Sequence, residues 1–176
     1  DYEVMKKAGR IVIMGTAGLG DGNVTPVAEF NIWQDAEAAK IVTESGLDNI
    51  IFVGWDACLG DCMLNPKEIK EIRESGKLGK FAIDCNKNLL EMNRERFGDD
   101  YLDMADPSAM SAALYPECIE KCEKYYCEVD VSAGPSYGAV LVDVNNVTGK
   151  EPNVYICSKL YADKYKEYIY RTLKVK

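Results

Sequence analysis

Apolar positions fall into two kinds of run along this chain. The first kind is short and unbroken: "IVIMG", ending at Gly15, and "NIIFVG", ending at Gly54, carry almost no polar side chain. Such runs predict strands covered on both faces. The second kind is spaced as a helix would space it. "DAEAAKIVTESG" has Asp35 at the cap, Glu37 in the first turn and Gly46 at the end, which predicts a helix. "NPKEIKEIRESG" places Asn65 as cap and Pro66 at the first helical position, so it predicts another. Further helices are predicted over 81–97, from Asp106 to Tyr115, and near 161–173, while "DYEVMKKAGR" reads as the tail of a helix entering the first strand. In the last third, "CEVDVS", "AVLVDV" and "NVYICS" alternate or run apolar with β-branched residues. They predict three short strands, the latter two joined by the turn "NNVTGKEP". Strand–helix alternation in the first half predicts an α/β fold: an open, mainly parallel sheet flanked by helices, with a small antiparallel addition near the C-terminus. No internal repeat or low-complexity linker divides residues 1–176, and a domain that opens on an interior strand reads as one domain or part-domain.

Charge and composition narrow the function. The net charge of −8 and the lack of a basic footprint argue against nucleic acid as a partner. No apolar run approaches the length needed to span a bilayer. The chain has no histidine, which excludes Ser-His-Asp and Cys-His catalysis and His-ligated zinc within it. Acid–base work falls to carboxylates, Lys, Tyr, Cys or water. Seven cysteines are an odd number, and the spacing in "CIEKCEKYYC" is looser than that of a zinc ribbon. Disulfides or reduced thiols both stay open. The cysteines and the sequon at Asn146 tilt the reading toward a secreted protein.

The glycines at 15, 18, 20 and 22 match neither the dinucleotide fingerprint nor the P-loop, so they bend the backbone around something else. Next comes "GNVTPVAEFN", where Asn23, Glu29 and Asn31 put two amides and a carboxylate on the loop leaving the first strand. That set suits the hydroxyls of a sugar. Ligands of open α/β sheets bind beyond the carboxyl ends of the strands, where Asp56 follows the second strand. Asp106, before Pro107, stands at a helix entry. Each residue also has a plain structural use, in a turn or as a cap.

Together these segments resemble the C-terminal half of a nucleoside hydrolase of the inosine–uridine type. "IVIMGTAGLGDGNVTPVAEFNIWQDAEAAKIVTESG" is similar to that family's central signature, and "VGWDAC", "NPKEIKEI", "MADPSAM" and "YGAVLVDVNNVTGKEPNV" agree in order. The resemblance implies cleavage of the N-glycosidic bond of ribonucleosides by water, with one bound Ca2+. It implies that Asn23, Glu29 and Asn31 hold ribose hydroxyls, that Met14 lies against the sugar with Phe30 near it, and that Asp106 is a calcium ligand. Two departures stand out. The residue before the calcium Asp is often His in the family, as acid for the leaving base; here it is Ala105. Family branches without that His exist, some relying on aromatic stacking, and Trp33, Trp55, Tyr101 and Tyr137 are the aromatics available. The second departure is the missing "DxDxxxDD"-like strand end, which "GDD" at 98–100 does not replace. The resemblance therefore implies a partner, an N-terminal half or second chain, beside self-association. The alternative is a catalytically inactive binding or structural protein of the same fold.

Overall fold

The computed structural model describes residues 2–98 and 100–175, so Asp99 of the "GDD" segment lies outside the described residues. A short helix α1 (Tyr2–Met5) leads into β1 (Ile11–Met14), then α2 (Phe30–Gln34), α3 (Ala36–Thr43) and β2 (Ile50–Val53). Two 3-10 turns, Trp55–Cys58 and Gly60–Cys62, precede α4 (Pro66–Glu74), α5 (Lys77–Asp84), α6 (Lys87–Phe97) and α7 (Ala105–Leu114). The chain closes with β3 (Ile119–Tyr125), β4 (Cys127–Val129), β5 (Val140–Val142), β6 (Val154–Leu160) and α8 (Ala162–Leu173).

The main sheet runs β1-β2-β6-β3, with β1, β2 and β6 parallel and β3 antiparallel on β6. β4 and β5 form a separate antiparallel pair. The open, mainly parallel sheet with a small antiparallel addition is therefore present. Successive residues of β2 and β6 face opposite layers, which explains their unbroken apolar character. Ile50, Phe52, Val154 and Ile156 pack on α2, α3 and β4 through Ile32, Ala36, Cys127 and Val129. Val53 and Cys157 turn to the other face, against Ile72 of α4, Ile83 of α5, Ala112 of α7 and Tyr165 of α8. Each large side chain so buried contributes about 1.5–3 kcal/mol.

The α4 cap is as the sequence predicts: Asn65 Oδ1 accepts from the Lys67 and Glu68 amides, each at 3.0 Å, and Glu68 reaches back to the Asn65 amide at 2.9 Å.

Three expectations are corrected. The helix predicted over 81–97 is two helices, broken at Cys85–Asn86, and the first begins earlier, at Lys77. The absence of a side chain at Gly79 lets α5 close on α4, because a Cβ there would lie 1.9 Å from the Ile72 carbonyl oxygen. The strand β3 is not predicted, since its charged residues break the apolar pattern; charges of this kind are how an edge strand resists pairing with strangers. Finally, "NNVTGKEP" does not join a strand pair. β5 pairs with β4, while β6 enters the main sheet between β2 and β3. Asn146 sits exposed in that connection with φ 51°.

Candidate active site

The site is built where β1 ends. Thr16, almost fully buried, holds a left-handed φ of 73°, a strained conformation for a β-branched residue. There its carbonyl accepts the Trp55 amide at 2.9 Å and its own amide meets the Glu29 carboxylate. The loop then folds on itself: the Gly22 amide donates to the Pro26 carbonyl at 3.0 Å and the Asn23 amide to the Ala28 carbonyl at 3.1 Å. The result delivers Glu29 to the start of α2, where it is the cap. Its Oε1 accepts the Asn31 amide at 2.9 Å and its Oε2 the Ile32 amide at 3.3 Å. Glu29 is only 2% exposed. Burial pushes its pKa up, the three backbone N–H groups oppose that rise, and the charge of Asp106 adds to it.

The neighbouring side chains are fixed by the same turn. Asn23 Oδ1 accepts the Phe30 amide at 2.8 Å. Asn31 Nδ2 donates to the Met14 sulfur at 3.0 Å, tying the helix start to the last residue of β1. A cavity of about 390 Å³ opens here, lined by Met14, Asn23, Glu29, Phe30, Trp55 and Asp106, with Ala105 beside the last. A second space of about 540 Å³ shares Asn23, Phe30 and Trp55 with it and extends to Met92 and Arg96. Asn31 is exposed at the rim and does not line the cavity. Five of the six candidate residues thus converge on one space, and the sixth braces Met14. A buried carboxylate, a side-chain amide and a second carboxylate around a cavity of this size suit a neutral polyol that gains positive charge during reaction.

With that geometry in view, the comparisons are specific. A family model described as inosine-uridine preferring nucleoside hydrolase matches residues 1–167. The chain belongs to that family. It is 34% identical over 154 residues to the pyrimidine-specific ribonucleoside hydrolase RihB of Escherichia coli O1:K1 / APEC, covering 87% of this chain and 48% of that protein. Among solved structures it resembles the plant nucleoside hydrolase PpNRh1, at TM-score 0.87 and 26% identity, covering all of this chain and 57% of that one. It also resembles the purine-preferring ribonucleoside hydrolase from Gardnerella vaginalis, at TM-score 0.82 and 27% identity, covering 99% and 55%. The chain spans about half the length of these relatives.

The candidate site also includes residues that sequence reasoning missed. Asp103 is buried; its Oδ2 accepts the Trp55 indole N–H at 2.9 Å and its Oδ1 the Asn93 side-chain amide at 2.5 Å. Arg96 lies over the Trp55 ring at 4.6 Å. Only the position of Asp103, three residues before Asp106, hinted at this. Of the four aromatics considered, Trp55 alone lines these two spaces. Tyr137 instead donates its hydroxyl to Glu37 at 2.7 Å, and Trp33 packs against Gly138. Calcium takes about six to eight oxygen ligands. Among the described residues no group of three Asp, Glu or Cys side chains comes together that could hold an ion, Asp106 included.

Asp56 lies outside the 390 Å³ cavity, under the glycine loop. Its Oδ2 accepts the Leu19 amide at 2.9 Å, while its Oδ1 is buried with no hydrogen-bond partner among the described residues. A Cβ on Gly18 or Gly54 would fall 2.0 or 2.3 Å from that oxygen, so only glycine lets the loop and the end of β2 close around the acid. Burial pushes the Asp56 pKa up to about 6. A raised acid binds its proton more tightly folded than unfolded. Its ionisation therefore costs stability as pH rises from about 4 to about 6, and the cost is complete above that. Asp56→Asn is expected to flatten this part of the curve of stability against pH, removing a slope that approaches about 1.4 kcal/mol per pH unit. Denaturant unfolding of both proteins between pH 4 and 7 measures it, and parallel curves would refute it.

Proposed function

We propose that the protein hydrolyses the N-glycosidic bond of ribonucleosides, with this chain supplying the ribose clamp and one calcium ligand. The observation that carries the reading is the Glu29 carboxylate, buried under three backbone N–H groups and facing Asp106 across the cavity. Two like charges lining one cavity, one buried and one exposed, favour whatever brings positive charge between them. An oxocarbenium-like ribosyl group does so as the bond to the base breaks. Glu29 and Asn23 would accept and donate hydrogen bonds to ribose hydroxyls; Asn31 would do the same from the rim while keeping Met14 under the sugar. The base would leave into the adjoining space, between Phe30 and Trp55, where Arg96 adds positive charge.

Asp106 would hold calcium with oxygen donors beyond the described residues, and calcium when bound grips sugar hydroxyls and acidifies water. The same reasoning assigns the protein a further polypeptide segment or second chain as partner. β1 is an edge of the main sheet with all four residues only half-buried, a place where another parallel strand would add. A binding protein that hydrolyses nothing is the second reading, favoured by Ala105, which brings no proton to the leaving base.

The full-length protein is expected to release reducing sugar from a panel of purine and pyrimidine ribonucleosides, to stop on chelation and to recover with added Ca2+. Nucleoside binding without sugar release would support the second reading. Release that survives exhaustive chelation would remove Asp106 from its metal role.

A further inference from the structure

All seven cysteines are free thiols, and two of them face each other across strands. Cys122 of the edge strand β3 stands in register with Cys157 of β6. Directly opposed residues of antiparallel strands have Cβ atoms about 4.5–5.5 Å apart, and a disulfide asks for about 3.5–4.5 Å. A small approach of the two strands closes that gap. The register shift between Lys121 and Cys122 leaves β3 locally free to make it.

The two sites are also chemically unequal. Cys122 is half-buried and reachable from the sheet edge, while Cys157 is buried behind it. A hydrogen bond from the Cys157 thiol holds the Cys122 pKa below the usual thiol range, and the same bond raises that of Cys157. Burial pushes other thiols up: it is the largest cause for Cys62, raised to about 11, and the whole cause for Cys127, raised to about 12. The reachable sulfur is the nucleophile and the hidden one resolves, the order a dithiol switch requires.

We propose that Cys122 and Cys157 form a modification site, a cross-strand dithiol that converts reversibly to a disulfide by exchange with a small-molecule disulfide such as oxidised glutathione. The Cys122 thiolate attacks one glutathione sulfur, forming a mixed disulfide and displacing one glutathione thiolate. With Cys122 no longer an anion, the bond that held the proton on Cys157 is gone. Cys157 gives up that proton, attacks the Cys122 sulfur and releases the second glutathione. Two protein thiols and one oxidised glutathione thus become one protein disulfide and two reduced glutathiones. The staple fastens the edge strand to β6, whose Cys157 carbonyl also accepts the Gly54 amide at 3.1 Å, one residue before Trp55.

The test treats the protein containing this sequence with oxidised glutathione under native conditions, then maps disulfides by mass spectrometry. The expected result is a loss of two hydrogen masses, a linked peptide pair carrying Cys122 and Cys157, and reversal by dithiothreitol. The closed loop is expected to raise Tm by about 5–10 °C and to slow amide exchange in β3. Cys122→Ser should give no linked pair and no Tm shift. Cys157→Ser should stop at the glutathione adduct on Cys122. A stable glutathione adduct on Cys122 of the unsubstituted protein, a link between other cysteines, or no reaction at Cys122 would each overturn the proposal.

Discussion

Glu29→Gln is expected to lower kcat/KM for nucleoside cleavage by about 100- to 1000-fold, the scale seen when one group aimed at developing charge is removed. The shape of the side chain survives, but its charge does not, and one of two acceptor oxygens becomes a donor. Three backbone N–H groups, from Thr16, Asn31 and Ile32, converge on that carboxylate. At least one of them must lose its partner, which costs about 1–2 kcal/mol of folding stability. The two effects differ in size, and that difference is the content of the prediction. A cap alone would lose stability and keep its rate once folded. Steady-state kinetics beside thermal unfolding separates them. Activity that falls only in step with the folded fraction would make Glu29 a cap and nothing more.

Gly22→Ala is expected to be nearly as damaging by a different route. A Cβ at that position would lie 2.2 Å from the Thr25 carbonyl oxygen and 2.4 Å from both the amide nitrogen and the carbonyl oxygen of Ala28. All three are backbone atoms of the same tight loop, so no side chain can swing away. The loop has to open by the better part of an ångström, and it carries Asn23 on one side and Glu29 on the other. A misplacement of that size at a positioning group costs about 100-fold in rate. The core below, centred on Phe52 and Ile156, is untouched. Thermal unfolding should therefore stay cooperative while kcat/KM collapses. Wild-type kinetics in this variant would show that the loop geometry does not matter to the reaction.

The sequence made some of this visible and hid the rest for physical reasons. Unbroken apolar runs at 11–14 and 50–53 announced strands buried on both faces, and the Asn65–Glu68 cap announced α4. Asn23, Glu29 and Asn31 could be named from the chemistry of their side chains on one loop, whereas Met14, Phe30 and Asp106 were named only through the resemblance to a family signature. What Glu29 does could not be read, because the short helix it caps has too few turns to show a period. Asp103 joins Trp55 across 48 residues of sequence, and nothing local encodes a contact of that range. The Cys122–Cys157 register was hidden with β3 itself, whose Glu and Lys residues are those of an edge rather than a core. The early start of α5 at Lys77 includes Gly79, whose role is an interhelical approach to α4 that composition does not reveal.

A crystal structure of the full-length protein soaked with ribose tests the central claim most directly. The account predicts sugar density in the cavity between Met14 and Phe30, with hydroxyls within hydrogen-bonding distance of Glu29, Asn23 and Asn31. Ribose bound elsewhere, or a cleft left empty at saturating sugar while those side chains keep only their present partners, would contradict it.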